Sequence, residues 1–297
     1  MTLTHPAALA GPASAGPASA PLLRLVRSEL ALTLRRPHTL VSLTGFALLP
    51  VVIGFGIGAG VTGQVGEPAG GEGRQLLAAA SANGLSLPVT VLAVSLALLL
   101  PLTVSLAAAD AFAGETARGT LRALLLAPVG RLRLVGVKAL GVLTVTVLSV
   151  AVVSVSSLLA GTLIVGDAAG GGRLLTLSGN TVEIGSALGR VAAAAGWSAL
   201  QLAAVAAVAL AVSAFANYPH VVPAMVMSGA IVSDVLAAIP SLNWLRPWLL
   251  TSGWPTLSDL LRDPVPTDNL TGTALIALGY LAAGLAVAVA GMLTRKA

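Results

Sequence analysis

The segment GETARGTLRALLLAPVGRLRLVGVK (Gly114–Lys138) combines charge, glycine and proline between two long uncharged runs. It holds five of the chain's sixteen basic residues, although only 9% of the 297 residues are charged and 56% are hydrophobic. Soluble domains carry about 25% charged residues, so a chain this poor in charge cannot cover its core with a charged surface. We therefore expect lipid to be its main solvent.

Uncharged runs on both sides of this segment are long enough to cross a bilayer, which takes about 20 apolar residues. The polar turn FANYPH (Phe215–His220) divides the longest run into two. The chain is thus predicted to be an all-α integral membrane protein with six transmembrane helices. The predicted spans lie near residues 39–60, 87–109, 135–166, 190–214, 221–240 and 269–294.

The distribution of lysine and arginine predicts how these spans are oriented. With the N-terminus in the cytoplasm, the inside segments carry eleven basic residues and the outside segments carry five. Membrane proteins place their excess of cations in cytoplasmic segments. We therefore expect both termini, and the loop of residues 110–134 between spans two and three (the 110–134 loop), to be cytoplasmic.

Three segments outside the predicted spans have sequence patterns that predict specific structures. Residues 1–20 repeat GPASA and predict a disordered cytoplasmic tail. Residues 21–38 carry an apolar stripe with arginines beside it, which predicts an amphipathic helix in the membrane interface that ends at Pro37. A cytosolic extension of the first span is the alternative. Residues 241–268 carry three of the four tryptophans and predict an interfacial or re-entrant segment on the outer face.

The sequence offers no catalytic constellation. The three histidines have no partners at zinc-binding spacings, cysteine is absent, and no G-x-S-x-G motif occurs. A Walker A loop needs G-K-[ST], which neither Lys138 nor Lys296 provides. We therefore expect no enzymatic activity and no cofactor on this chain. Because the cations flank apolar runs, they indicate membrane orientation rather than nucleic-acid binding.

A few polar residues inside the predicted spans are candidates for a transport pathway. Asp234 is the acidic residue that falls within a span, where it would act as a proton relay or lie at the outer interface. Ser95 and Thr103 fall in the second span. Small hydroxylated residues at such positions either line a pathway or serve helix packing.

The pattern of the 110–134 loop predicts a folded element rather than a tether. A first short helix would place one acidic and two basic side chains on one face. After a glycine, a threonine could cap a second short helix that buries leucines and stops before a proline. The residues concerned are Glu115, Arg118, Gly119, Thr120, Leu121, Arg122, Leu124, Leu125, Pro128 and Arg131. Such a pair would present a rigid surface to another protein.

This loop resembles that of the ABC-2 type (type V) ABC exporter permeases. Those membrane subunits carry an acidic residue, Gly-Thr-Leu, a leucine-rich stretch, Pro-x-x-Arg and a lysine between their second and third spans. The matching positions here are Glu115, Gly119 to Leu121, Pro128, Arg131 and Lys138. The resemblance extends to the six spans, the N-terminal interfacial helix and the tryptophan-bearing outer segment.

The resemblance implies that the loop docks on a separate ABC ATP-binding subunit, which would hold ATP and magnesium. It also implies a second permease copy or a paralogue, a pathway between the two halves, and a place in the bacterial inner (cytoplasmic) membrane. The expected function is outward movement of an amphipathic or lipophilic compound such as a drug, an antibiotic or a lipid. The alternatives are an ion- or proton-coupled secondary transporter and a non-transport six-span subunit that partners an ATPase.

Overall fold

A computed structural model describes residues 22–59, 71–120, 130–166 and 173–294. These residues are mostly helical, and the predicted tail of residues 1–20 lies outside them. The α-helices are α1 (Leu22–Leu34), α2 (Pro37–Gly58), α3 (Gly71–Ala82), α4 (Leu87–Ala97), α5 (Leu99–Ala111), α6 (Ala113–Ala117), α7 (Arg131–Ala160), α8 (Ile184–Phe215), α9 (Val221–Ala238) and α10 (Thr267–Thr294).

Five of these helices are long and apolar enough to cross a membrane: α2, α7, α8, α9 and α10. A π-helical turn, Gly161–Val165, extends α7. The pair α4 and α5, bent by 54°, gives a sixth span if the two are counted as one. Within the described residues the chain is therefore an all-α membrane protein with five candidate spans, or up to six.

The predicted second span is not one continuous helix. It breaks at Leu98, whose backbone dihedrals (φ −147°, ψ −53°) are not helical. Pro101 lies three residues further on; it has no N–H for the carbonyl of Ala97, and its ring would crowd that carbonyl in a continuous helix. The proline therefore explains why two helices replace the single span expected at 87–109.

Pro37 has a different role from the one expected. The first helix ends at Leu34, and Pro37 is the first residue of α2. Proline is favoured at the start of a helix because the N–H that it lacks would have no intrahelical partner there. The interfacial position of α1 stays a prediction.

The α8 helix is the centre of the bundle. Its most hydrophobic window is 72% buried, and it packs along α10 and also against α5, α7, α4 and α9. Its buried face is rich in alanine, which lets neighbouring backbones approach closely in lipid. By contrast, the corresponding windows of α2 and α9 are each only 22% buried. The described residues therefore leave wide apolar faces of these two helices uncovered.

The segment between α9 and α10 folds over the end of α8 that is predicted to be outside. It contains the 3₁₀ helices Pro240–Leu242, Arg246–Trp248 and Pro255–Leu261. Beside it lies a two-stranded antiparallel sheet, β1 (Leu174–Leu175) and β2 (Thr181–Val182), with Leu174 opposite Val182.

Two side chains of α8, Arg190 and Trp197, fix this segment through polar contacts. The Arg190 guanidinium lies 3.0 Å from Asp263 Oδ1, and the Trp197 indole N–H donates to the Gly253 carbonyl at 3.1 Å. Trp244 and Trp248 stay exposed, as residues in a headgroup layer would be.

Two backbones meet at the same end of the bundle, at Gly84 and Gly161. A methyl group built on Gly161 would lie 2.1 Å from the Gly84 carbonyl oxygen, far inside van der Waals contact. The Gly84 N–H also donates to the Gly166 carbonyl at 3.0 Å. The backbone before α4 therefore packs directly against the backbone at the end of α7, because glycine at positions 84 and 161 leaves room for the contact.

We predict that Gly161→Ala destabilises the protein by about 1–3 kcal/mol, the usual range for overpacking a tight contact. The measurement is the thermal unfolding midpoint of the purified protein in detergent. Gly45→Ala is the matched control, since a methyl group there meets nothing within 4 Å. A midpoint for Gly161→Ala equal to or above that of the control would contradict the close approach.

Candidate functional site

The start of the 110–134 loop is a short helix closed by a well-defined cap. After α6, Gly119 adopts a left-handed conformation (φ +71°), which only glycine reaches without strain. The Thr120 N–H donates to the Glu115 carbonyl and the Gly119 N–H to the Thr116 carbonyl, both at 3.0 Å. These two bonds form a Schellman motif, in which glycine ends a helix and satisfies its last carbonyls. The Glu-x-x-x-Gly-Thr pattern is therefore a C-cap.

Thr120 closes the preceding helix in this structure. Its hydroxyl donates to the same Glu115 carbonyl at 3.2 Å, whereas the sequence analysis assigned it to the N-cap of a following helix. The second predicted helix lies at 121–129, outside the described residues. That segment contains Leu121, Arg122, Leu124, Leu125 and Pro128, so their proposed roles stay predictions.

A serine of α8 anchors the junction between α5 and α6. The helical conformation is interrupted at Phe112, whose backbone dihedrals (φ −126°, ψ −53°) are not helical. The Ala113 N–H donates to Ser213 Oγ at 3.1 Å, and the Ser213 hydroxyl lies 3.3 Å from the Ala109 carbonyl, to which it donates. A helix break buried in an apolar setting leaves backbone groups that need partners. One hydroxyl satisfies two of them and holds the base of the loop against the central helix.

Lys138 links three elements through a buried ion cluster. Its ammonium group donates to Glu29 Oε1 at 2.9 Å and Oε2 at 3.0 Å, and also to Glu115 Oε1. Lys138 is 5% exposed and Glu115 is 8% exposed. A charge removed from water needs close partners, because isolated burial costs several kcal/mol. Helices α1, α6 and α7 are therefore joined at one point, which we call the Lys138 triad (Glu29, Glu115 and Lys138).

A second ion cluster lies at the end of α5. Asp110 Oδ2 is 2.6 Å from an Arg36 guanidinium nitrogen and 3.4 Å from His38 Nε2. A carboxylate at the C-terminal end of a helix is disfavoured by the helix dipole, so nearby cations offset that cost. The start of α2 is thereby tied to the end of α5.

The two ion clusters border one polar cleft of about 550 Å³. We call it the basal cleft; its lining residues are Leu32, Arg36, Pro37, His38, Asp110, Glu115, Arg118, Thr120 and Lys138. Arg118 and Thr120 are exposed. Glu115 Oε2 is buried and has no hydrogen-bond partner among the described residues. The cleft therefore offers a carboxylate oxygen inside and an exposed arginine, a combination suited to a polar protein partner.

The other candidate residues from the sequence lie elsewhere. The Arg131 guanidinium donates to the Met292 and Leu293 carbonyls at 3.1 and 2.6 Å, and so caps α10. Ser95 and Thr103 are buried between helices, with the Thr103 hydroxyl bonded to the Leu99 carbonyl at 3.0 Å. Asp234 is exposed near the end of α9. None of these four lines the basal cleft.

The sequence analysis missed Glu29, Arg36, His38, Asp110 and Ser213 as members of this site. A signal for two of these positions was present, since Glu29 and Asp110 are, together with Glu115, the acidic residues of the predicted cytoplasmic segments. All three carboxylates are paired with cations in the structure. Isolated acids on the strongly basic side of a membrane protein could therefore have indicated the site.

We predict that Lys138→Met destabilises the protein by about 3–5 kcal/mol, because it leaves two carboxylates buried without their cation. The thermal unfolding midpoint in detergent is the measurement, and Arg27→Met, at an exposed position of α1, is the control. The triple variant Glu29→Gln, Glu115→Gln, Lys138→Met should recover most of the loss. A triple variant as unstable as Lys138→Met alone would contradict the charge explanation.

The 110–134 loop and its surroundings fall within a region that matches a known family. The family model described as "ABC-2 family transporter protein" matches residues 78–239, more than half of the chain. The match covers the described parts of the loop, Lys138, and the helices α4 to α9. A comparison with curated proteins found no match. The chain belongs to the ABC-2 family of transporter proteins.

Proposed function

We propose that this chain is the permease subunit of an ATP-driven exporter, and that a separate ABC ATP-binding subunit docks on the 110–134 loop. Membership of the ABC-2 family implies an ATP-binding partner in general. The observation that carries the docking site is the Lys138 triad, which ties the capped start of the loop to α1 and α7. A flexible tether would need no such fixation.

The contacts of the loop suggest how a displacement would spread. Movement of Glu115 acts on Lys138 at the start of α7, and through it on Glu29 of α1. Movement of the α5 end acts on Arg36, which precedes α2. A partner that moves the loop would thus act on the first three predicted spans together. In this mechanism nucleotide-driven closure of the partner is converted into a shift of these helices.

The topology that we propose has both termini and the basal cleft in the cytoplasm of a bacterial cell. The distribution of lysine and arginine supports it, together with the exposed Arg24 and Arg27 of α1 and the exposed Trp244 and Trp248 at the opposite end. In this arrangement α1 lies in the inner interface, with Glu29 and Thr33 packed against Gly141 of α7.

We infer that the transport pathway lies between two permease subunits, identical or paralogous. The central helix α8 is tightly packed, and Ser95 and Thr103 are buried, so the interior of one chain is filled. Helices α2 and α9 instead expose large apolar side chains, among them Val52, Phe55 and Ile231. Such surfaces suit a lipophilic or amphipathic cargo, such as a drug, an antibiotic or a lipid, that moves outward from the membrane or the cytoplasm.

Arg118→Glu tests the docking site without disturbing the buried triad, because Arg118 is exposed. We predict binding of the proposed ATP-binding subunit to weaken about tenfold or more, since reversing a charge at an interface opposes the partner's complementary charge. The dissociation constant in nanodiscs is the measurement, and Arg24→Glu on α1 is the matched control. Equal affinity for both variants would overturn the assignment.

Transport in proteoliposomes separates the proposal from its competitors. We predict that export of a lipophilic dye requires ATP and the ATP-binding subunit, and that Asp234→Asn leaves the rate within about twofold, because Asp234 is exposed and remote from the basal cleft. Transport driven by an ion gradient without ATP, and lost in Asp234→Asn, would instead show a secondary transporter. ATP hydrolysis that no cargo stimulates and no transport accompanies would indicate a non-transport subunit.

A further inference from the structure

A large apolar groove opens between α7, α8 and α10. Its volume is about 830 Å³, within the roughly 300–1,000 Å³ typical of ligand sites. Leucines of α7 and α10 form its walls and alanines of α8 form its floor. Representative lining residues are Leu140, Leu143, Ala206, Leu210, Leu281 and Leu285. It shares no lining residue with the basal cleft.

The groove has the length of one membrane leaflet. On α7 it runs from residue 132 to residue 143, which is about 18 Å of helix at 1.5 Å per residue. Half of a hydrocarbon core about 30 Å thick is about 15 Å. Because α7 begins at the face that carries the 110–134 loop, the groove lies in the leaflet on that side. The proposed topology makes this the inner leaflet.

One end of the groove is cationic. Arg133 is the charged residue of its lining. The bonds from Arg131 to the Met292 and Leu293 carbonyls bring the start of α7 against the end of α10, and Arg295 and Lys296 follow that end in the sequence. No acidic residue occurs in the sequence between 116 and 166 or between 269 and 297. A long apolar groove with an arginine at its headgroup end matches an anionic lipid.

We propose that this groove binds an anionic phospholipid, with its acyl chains along the leucines and its phosphate at Arg133. Arginine pairs with phosphate through two parallel hydrogen bonds, and the pairing is stronger where water is scarce. A second copy of the chain fits less well, because Glu29, Asp110 and Glu115 are already paired with cations. A lipid phosphate instead supplies a negative charge that complements the basic end of the groove. The proposal depends on the topology only for which leaflet supplies the lipid.

The test compares phosphatidylglycerol with phosphatidylcholine as added lipids, with bound lipid per chain counted by native mass spectrometry. The wild-type chain should retain one phosphatidylglycerol in preference to phosphatidylcholine. Arg133→Gln should weaken phosphatidylglycerol binding about fivefold, as expected for one basic residue near a headgroup, and leave phosphatidylcholine unchanged. Arg133→Lys should restore most of the preference. Arg24→Gln, on exposed α1, is the charge control and should change neither lipid.

Filling the groove gives a second, independent arm of the test. Ala206→Leu with Leu140→Trp should remove the tightly held phosphatidylglycerol. Met225→Trp fills a separate apolar groove of about 410 Å³, which Phe215 and Val287 also line, and should leave the lipid bound. Unfolding midpoints near the wild-type value would show that both proteins are folded.

Three results would overturn the inference. The first is equal retention of the two lipids by the wild-type chain, which would show ordinary lipid solvation. The second is dissociation of a permease dimer on filling the groove, with phosphatidylglycerol still bound. The third is loss of cargo-stimulated ATP hydrolysis on filling the groove, again with the lipid retained, which would identify a cargo site. The first two readouts can be obtained without the ATP-binding subunit, so a failure of the lipid proposal can be told apart from a failure of the proposed function.

Discussion

Lys138, held between Glu29 and Glu115, is the interaction on which the arrangement of the proposed cytoplasmic end depends. A buried ammonium group must keep its carboxylates close, because separating them leaves a charge in a medium of low dielectric constant. This requirement holds helix α1, the loop helix α6 and the long helix α7 together, although Glu29 and Lys138 are 109 residues apart in sequence. The Schellman cap at Gly119 ends α6 at Ala117. The exposed Arg118 lies between this helix and its cap, and therefore has a fixed position at the basal cleft.

The helices away from the Lys138 triad differ in how tightly they are packed. Helix α8 provides a buried centre, and the Ser213 hydroxyl attaches the break between α5 and α6 to it. The helices at the periphery, α2 and α9, have apolar faces that no other described part of the chain covers. The end of the bundle that contains the Lys138 triad is rigid, whereas α2 and α9 are loosely covered. In the proposed function the partner displaces the rigid end, and the peripheral helices respond.

Local patterns in the sequence predicted part of this architecture. The apolar runs placed the long helices, and FANYPH (Phe215–His220) separated α8 from α9. Pro101 indicates the bend at Leu98, but the run of apolar residues continues unbroken through both helices, so hydropathy alone predicts one span. The Gly119–Thr120 pair was correctly seen as a helix boundary, but hydropathy alone could not show which helix it caps. Which ions pair with each other, and the groove beside α8, could not be predicted from the sequence. Both involve residues far apart in the chain and depend on tertiary packing.

Because the chain contains no cysteine, site-specific alkylation tests the central claim most directly, namely that the ATP-binding subunit covers the 110–134 loop. Single-cysteine chains carrying Arg118→Cys or Trp244→Cys would be reconstituted in nanodiscs, and their maleimide labelling rates measured with and without that subunit. Both positions are exposed in the single chain and lie at opposite ends of the bundle in the proposed topology. The account predicts that the subunit slows labelling at position 118 at least about tenfold and leaves position 244 unchanged. Equal labelling of position 118 in the presence and absence of a bound subunit would contradict it.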